Sequence, residues 1–277
     1  MRRLAPRAAL LLVVAVLTTG CQSNAFIRQG FPVPVTKQAQ VILHMWQGSW
    51  IAAWAVGILV WGGILWAVLF HRKRGDQLPR QVRYNLPIEI LYTVLPFIMV
   101  GVLFFFTAKD ENYIDKVPPH PALKVHVIGE QWTWQFIYPQ YMAGGGRPVT
   151  ELGNMWAPGQ GSGVLPLLEI PTNETVQFTL TSPDVVHSFW IAPFLFKRDL
   201  IPGPTARRTG PTDTGTTRQT TFTVIPIKTG AFIGRCSELC GVYHSRMLFR
   251  VKIVSQAQFK TWIAAQQAQQ KASGGAS

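Results

Sequence analysis

Cysteine is scarce in this sequence: the 277 residues contain only three, Cys21, Cys236 and Cys240. Small secreted domains that rely on disulfides carry cysteine at a much higher density. The low count therefore argues against a fold that is held together by disulfides. Cys236 and Cys240 lie close enough in sequence to form a local disulfide or to share a metal site.

Charged residues are also few, at 14% of the chain against 48% hydrophobic residues. Soluble domains average about 25% charged residues, so the shortfall predicts membrane-spanning segments. Acidic residues are the rarer kind, 13 against 26 basic residues, and the formal net charge is +13. The sequence has no basic helix and no basic patch interleaved with aromatic residues, so we expect no nucleic-acid partner. Basic loops of a membrane protein account for the charge.

The N-terminus has the pattern of a signal peptide over residues 1–20. Arginines at positions 2, 3 and 7 precede an apolar run, and the small residues of Thr18-Thr19-Gly20 lead to Cys21. A cysteine at this place resembles a bacterial lipoprotein site, although Leu17 lies four residues before it rather than the usual three. We expect lipidation of Cys21. The alternatives are an ordinary signal peptide, or an uncleaved anchor with a spare thiol.

Two long apolar runs predict a two-helix transmembrane hairpin over residues 49–109, after an extracytoplasmic segment at 21–48. The spans lie at about 50–70 and 86–108, and each suffices for a membrane helix of about 20 residues. Between them lies the basic stretch His71-Arg72-Lys73-Arg74, which the positive-inside rule places in the cytoplasm. Everything after the second span is then extracytoplasmic.

Glu89 lies one turn inside the second predicted span. An ionisable group at that depth is costly and usually has a function or a partner. The structural alternative is a carboxylate that extends to the interface beside Arg83. Position alone does not decide between the two.

Residues 120–255 alternate between apolar and polar side chains in short runs, which predicts β-strands. Such runs occupy 123–128, 132–138, 165–170, 175–180, 219–224 and 247–254. Glycine-rich residues 142–163 and basic residues 202–218 are predicted loops. Many short strands indicate a β-sandwich or barrel. Residues 256–277 are predicted to form a helix to Gln270 and a disordered tail.

Soft metal donors cluster in the segment R-C-S-E-L-C-G-V-Y-H-S-R-M. Cys236, Cys240, His244 and Met247 combine sulfur with imidazole, the donor set that selects copper. One histidine cannot complete such a site, and His187 in D-V-V-H-S-F-W is the best further donor. Two thiolates four residues apart can bridge two coppers, which indicates an electron relay. A Cys236–Cys240 disulfide is the competing interpretation.

The two quoted segments resemble the binuclear CuA loop and the distant histidine segment of subunit II of the haem–copper cytochrome c oxidases. The resemblance implies a cupredoxin-like Greek-key sandwich after the hairpin. It also implies a ligand set for two copper ions. In that set Cys236 and Cys240 are bridging thiolates, and His187 and His244 are terminal imidazoles. Met247 and the Glu238 carbonyl are the axial donors. In this family the Glu238 side chain would also reach a Mg²⁺ or Mn²⁺ ion shared with subunit I.

Two further segments resemble functional parts of that family. In G-E-Q-W-T-W-Q-F, the resemblance makes Trp132 the residue that receives electrons from cytochrome c, although sequence alone favours a core or edge-strand aromatic. In P-I-E-I-L-Y-T-V-L-P, it places Glu89 at the mouth of a proton channel into subunit I. Both roles are expectations from the resemblance.

The implied function is transfer of electrons from cytochrome c through CuA to haem in subunit I, where O2 is reduced to water with proton translocation. The implied partners are oxidase subunits I and III, cytochrome c and the lipid of a bacterial plasma membrane. The shortage of acidic residues disfavours docking of a soluble basic cytochrome c and favours a membrane-tethered one in a respiratory supercomplex. The two spans argue against the copper domain of nitrous oxide reductase, and the intact ligands against a quinol oxidase. A copper chaperone or binding module would need neither Glu89 nor Trp132.

Overall fold

The computed structural model describes residues 25, 27–73, 75, 81–154, 163–203 and 220–274. The predicted signal peptide and Cys21 lie outside the described residues. The chain divides into two compact units, one formed by residues 1–31 and 42–112 and the other by residues 32–41 and 113–277. We describe each unit by itself.

Two long apolar helices dominate the first unit: α1 (Lys37–Phe70) and α2 (Leu86–Ile114). Their most apolar stretches have mean hydropathies of 2.1 and 2.3 and are not buried by the protein, so both helices can cross a membrane by length and composition. Both predicted spans lie inside these helices. Helix α1 begins well before residue 50 because Thr36 caps it, with its Oγ1 accepting a hydrogen bond from the Ala39 amide.

The start of α1 belongs to the second unit. The Ile227 amide donates to the Val35 carbonyl at 2.8 Å, and the Lys37 amide donates to the Ile225 carbonyl at 3.0 Å. The Gln38 side chain is buried and accepts a hydrogen bond from the Ile225 amide at 3.0 Å. The second unit thus combines residues 32–41 with residues 113–277, which are separated in sequence by most of the two apolar helices.

Ten strands form two five-stranded sheets in the described part of the second unit. They are β1 (Leu123–Glu130), β2 (Thr133–Met142), β3 (Pro148–Leu152), β4 (Leu167–Pro171), β5 (Val176–Thr181), β6 (His187–Ile191), β7 (Lys197–Leu200), β8 (Thr220–Val224), β9 (Gly230–Cys236) and β10 (Leu248–Val254). The sheet orders are β3-β2-β1-β5-β8 and β4-β10-β9-β6-β7. The pairs β1–β5 and β4–β10 are parallel, and the others are antiparallel.

A buried aromatic cluster joins the two sheets face to face. Phe189 of β6 stacks on Phe249 of β10 and packs against Phe178 of β5, with ring centroids 5.1 and 5.5 Å apart. Trp134 of β2 packs edge-on against Phe249 at 5.2 Å. Burial of each such ring contributes about 1.5–3 kcal/mol. The predicted fold class is confirmed: two long apolar helices are followed by a β-sandwich.

Helix α3 (Gln256–Gly274) closes one side of the sandwich with buried Phe259 and Ile263. The Gln270 side chain accepts from the Thr150 amide and donates to the Thr150 carbonyl, which satisfies backbone groups of edge strand β3. We predicted that the helix ends at Gln270 and fades into a disordered tail at residues 272–277, whereas in the structure the helix continues to Gly274.

Several strands escaped prediction. Strand β3 lies within residues 142–163, which we predicted to be a loop, and β6, β7 and β9 were not recognised. Strand β9 carries glycines that interrupt the apolar alternation. Gly234 is required there, because a Cβ atom at this residue would lie 2.0 Å from the Phe249 ring.

The hydrogen bond between Gln38 and Ile225 predicts that a substitution at Gln38, far from the strands in sequence, lowers the stability of the second unit. Replacing Gln38 with Leu removes the acceptor of the partly buried Ile225 amide and should cost about 1–3 kcal/mol. Thermal unfolding of the detergent-solubilised chain measures the loss. The matched change Gln40→Leu, at an exposed position, should leave the unfolding temperature nearly unchanged; equal losses in the two variants would contradict the prediction.

Candidate metal centre

Residues 236–247 form the donor loop, which connects the end of β9 to the start of β10. The Cys236 amide donates to the Met247 carbonyl at 3.0 Å, so the two ends of the loop meet. The Ser237 amide donates to the Ser188 carbonyl at 3.0 Å and fixes the loop against β6. Donors that lie eleven positions apart in sequence are therefore neighbours in space.

The first half of the site surrounds the Cys236 sulfur. His187, the first residue of β6, presents its Nδ1 atom 3.8 Å from the Cys236 Sγ atom. The Cys236 thiol also donates to the Glu238 carbonyl at 3.2 Å, while the Glu238 side chain is exposed. This half combines a sulfur, an imidazole nitrogen and a carbonyl oxygen.

The second half surrounds the Cys240 sulfur in a similar way. The His244 Nδ1 atom lies 3.5 Å from the Cys240 Sγ atom, and the Met247 Sδ atom lies 3.7 Å from it. Met247 and both cysteines are buried. The loop therefore repeats one arrangement twice, each time with a thiol, an imidazole and a weaker donor.

This geometry fits a metal ion. A first-row metal bonded to one sulfur and one imidazole nitrogen holds these two atoms about 3.5 Å apart, close to the two separations observed. The donor atoms of His187, Cys236 and Cys240 all lie within 4.8 Å of one another. Both cysteines are free thiols, as metal binding requires. Thiolate with imidazole is a donor set that favours copper.

The two thiols differ in acidity. Burial opposes ionisation of Cys236, but its contact with His187 lowers the pKa of the Cys236 thiol to about 7. Burial and the neighbouring Cys236 charge raise the pKa of the Cys240 thiol to about 12. One thiolate thus opposes formation of the other, and a bound cation removes this conflict by stabilising both negative charges.

Asp184 orients His187 from the side opposite Cys236. The His187 Nε2 atom lies 2.8 Å from the Asp184 Oδ1 atom, which leaves Nδ1 facing the sulfur. The Gln131 and Val185 amides each donate to the Asp184 carboxylate at 2.6 Å. Burial alone would raise the pKa of Asp184, yet these hydrogen bonds and His187 lower it. Sequence reasoning missed this role, although the spacing D-V-V-H contained the signal.

Trp132 lies against the same loop. Its indole Nε1–H donates to the Cys240 carbonyl at 3.1 Å, and the Gln131 side chain donates to the same oxygen at 2.7 Å. The structure therefore brings Trp132 together with the predicted ligand set.

Glu89 lies in the first unit, at the start of α2. Its carboxylate accepts a hydrogen bond from the Asn85 amide at 2.9 Å, which is a local contact at the helix N-terminus. This contact decides neither explanation of Glu89, and the proton-channel role stays a prediction. The lipidation expected at Cys21 falls outside the described residues.

The fold and the site define a class of protein in which two apolar helices precede a β-sandwich in sequence, and one loop of the sandwich forms a soft-donor metal site together with His187 of β6. A family profile described as the periplasmic domain of cytochrome c oxidase subunit II matches residues 123–254. A probable cytochrome c oxidase subunit 2 from Streptomyces avermitilis is 42% identical, with 94% of this chain and 86% of that protein covered. Cytochrome c oxidase subunit 2 from Mycobacterium tuberculosis is 32% identical, with 92% and 80% covered.

A solved structure is also similar, that of the periplasmic domain of cytochrome oxidase subunit II from Bradyrhizobium japonicum. It is 27% identical, has a TM-score of 0.42, and the match covers 56% of this chain and 99% of that one.

The chain belongs to the cytochrome c oxidase subunit II family. It is therefore part of a haem–copper oxidase, an oxidoreductase with further subunits, and the family resemblance seen in the sequence is confirmed. The matched domain implies CuA copper, and the His187, Cys236 and Cys240 group is compatible with it. Two candidate membrane helices and a periplasmic domain fit a membrane protein with an extracytoplasmic domain.

The contact between Asp184 and His187 predicts a loss of metal affinity when the carboxylate is removed. Asp184→Asn should weaken copper binding about 10- to 100-fold, because the imidazole loses the charge that orients it. Competition with a copper chelator measures the affinity. The matched control Asp199→Asn makes the same chemical change at an exposed residue of β7. Equal affinities for the two variants would show that Asp184 does not support the site.

Proposed function

We propose that this chain is the cytochrome c oxidase subunit that accepts electrons from cytochrome c, and that its binuclear CuA centre passes them to haem in subunit I. There O2 is reduced to water with proton translocation. The observation that supports this function is the repeated donor arrangement around two free, buried thiols. A site built for one metal needs only one such half.

We assign the ligand roles from this arrangement. The two copper ions would be held by the thiolates of Cys236 and Cys240, by the imidazoles of His187 and His244, and by the weaker donors Met247 and the Glu238 carbonyl. When bound, two copper ions supply a one-electron redox couple whose charge is shared between them. The exposed Glu238 carboxylate would hold a Mg²⁺ or Mn²⁺ ion at the boundary with subunit I.

The protein's part is to hold the donors still and keep water away from them. Met247 and the two cysteines are almost fully buried. The Trp134 indole donates to the Met247 carbonyl at 3.2 Å and packs on Phe249, so the loop rests on the aromatic core. Fixed ligands change position little when the metal charge changes, which favours fast electron transfer.

Trp132 is the proposed point at which electrons arrive, because its indole is bonded directly to the Cys240 carbonyl. The donor we propose is a membrane-tethered cytochrome c within a respiratory supercomplex that also contains subunits I and III. The shortage of acidic residues supports this donor. Rapid, strongly salt-dependent turnover with soluble basic cytochrome c would contradict it.

We place the protein in a bacterial plasma membrane, crossing it twice, with residues 1–20 removed and Cys21 lipidated. The Gln47 side chain donates to the Ile27 carbonyl at 2.9 Å, and Phe31 stacks on Trp46 at 4.9 Å. Ile27 and Phe31 therefore lie beside Gln47 and Trp46 of α1, in a region where membrane-interface residues are expected. The mass of the mature N-terminus tests lipidation.

Glu89→Gln separates the two explanations of this carboxylate. As a proton-channel residue, Glu89 should be needed for turnover, so the variant should assemble normally but reduce O2 more slowly. Oxygen consumption per assembled complex measures this effect. Glu111→Gln, an exposed carboxylate near the other end of α2, is the matched control. Normal turnover in Glu89→Gln would leave Glu89 with only its local hydrogen bond.

Copper content tests the proposed function directly. The purified complex should contain two CuA coppers per chain and show a delocalised seven-line electron paramagnetic resonance signal. Cys236→Ser should abolish this signal, whereas Cys21→Ser should keep it because that thiol is no ligand. A single copper in this subunit would instead support a copper-binding or chaperone module. A Cys236–Cys240 disulfide in the purified complex would contradict copper binding at this loop, because the thiolate is the metal ligand.

A further inference from the structure

Backbone and side-chain contacts hold the Trp132 indole on one side. The indole and the Gln131 side-chain amide both donate to the Cys240 carbonyl. Cys240 carries one of the two thiols. Rotation of the indole away from the Cys240 carbonyl would therefore break its hydrogen bond to the donor loop. This hydrogen bond therefore fixes the nitrogen edge of the indole.

Gly241 allows the indole to approach the loop this closely. Its φ angle is +119°, a conformation that side chains disfavour. A Cβ atom at Gly241 would lie 3.1 Å from the Trp132 Cζ2 atom and 3.3 Å from Nε1. Because Gly241 has no side chain, it cannot pack against the indole, and another residue of the loop must make that contact.

Tyr243 supplies that contact. Its ring stands at 85° to the Trp132 ring with centroids 4.8 Å apart, a favourable edge-to-face geometry. Leu239 and Val242 of the same loop are 80% and 83% exposed, so they cover the indole little. Tyr243 directly precedes His244, whose Nδ1 atom lies 3.5 Å from the Cys240 sulfur. The residue that contacts the indole is thus fixed to the same ligand set.

We propose that Tyr243 is a positioning residue, whose ring keeps the Trp132 indole hydrogen-bonded to the Cys240 carbonyl. The proposal rests on the proposed function for its consequence, since a displaced indole would deliver electrons less efficiently. Its structural part concerns only the place of Trp132 and can be measured without turnover. Tyr243 has no ligand role, so its replacement should leave the metal donors intact.

The first test measures how exposed Trp132 is in the assembled oxidase. Hydroxyl-radical oxidation of Trp132, followed by mass spectrometry, should be several-fold faster in Tyr243→Leu, because loss of the Tyr243 ring exposes more of the indole to the radical. Tyr243→Phe keeps the ring and should match the unaltered protein. Val242→Ala, a change at the exposed neighbouring residue, should match it as well.

The second test asks whether the effect is confined to electron delivery. Tyr243→Leu should lower kcat with cytochrome c at unchanged KM, while reduction of the copper by a small ruthenium-ammine reductant and the electron paramagnetic resonance signal stay unchanged. Tyr243→Phe should restore kcat. If Tyr243→Leu fails to assemble, Tyr243→Met carries the same expectations.

Two results would overturn the proposal. One is a Trp132 oxidation rate that is the same with and without the Tyr243 ring. The other is an altered copper signal in Tyr243→Leu or Tyr243→Met, because it would mean that Tyr243 supports the metal ligands rather than the indole. Loss of the proposed function would look different: the unaltered protein itself would lack the binuclear signal, whatever the reactivity of Trp132.

Discussion

The hydrogen bond from the Cys236 amide to the Met247 carbonyl is the constraint on which the site depends. It joins the ends of the donor loop, so that a cysteine at one end and a methionine at the other share one small volume. The Trp134 indole donates to the same carbonyl and ties this closure to the core of the sandwich. Without this hydrogen bond, the loop would contain the same donor atoms, but they would not be held close enough together to share a metal ion.

The sandwich serves that loop as a rigid support. Phe189, Phe249 and Trp134 pack beneath it from both sheets, and β6 brings His187 to it from a different part of the chain. Asp184 then selects which ring nitrogen of His187 faces the sulfur. The donors are therefore positioned before any metal arrives, which is the property that fast one-electron transfer needs.

Much of this could be predicted from the residues alone. The apolar runs predicted both long apolar helices, alternation predicted six of the strands, and the Cys-x3-Cys…His…Met spacing predicted the local donors. Strands β6, β7 and β9 could not be predicted in the same way. They are short or interrupted by glycine, and their pairing depends on contacts with distant strands rather than on their own pattern.

The sequence by itself determined the chemistry: which sulfur and imidazole donors are present, and that two apolar helices precede a β domain. Only the tertiary structure decided the geometry. The hydrogen bond with Asp184 orients the Nδ1 atom of His187 towards the sulfur, and the Trp132 indole donates to the Cys240 carbonyl. Tyr243 packs against that indole, and residues 32–41 belong to the β unit. The physical reason is that donor types are local properties of residues, whereas orientation comes from hydrogen bonds and packing between segments far apart in the chain.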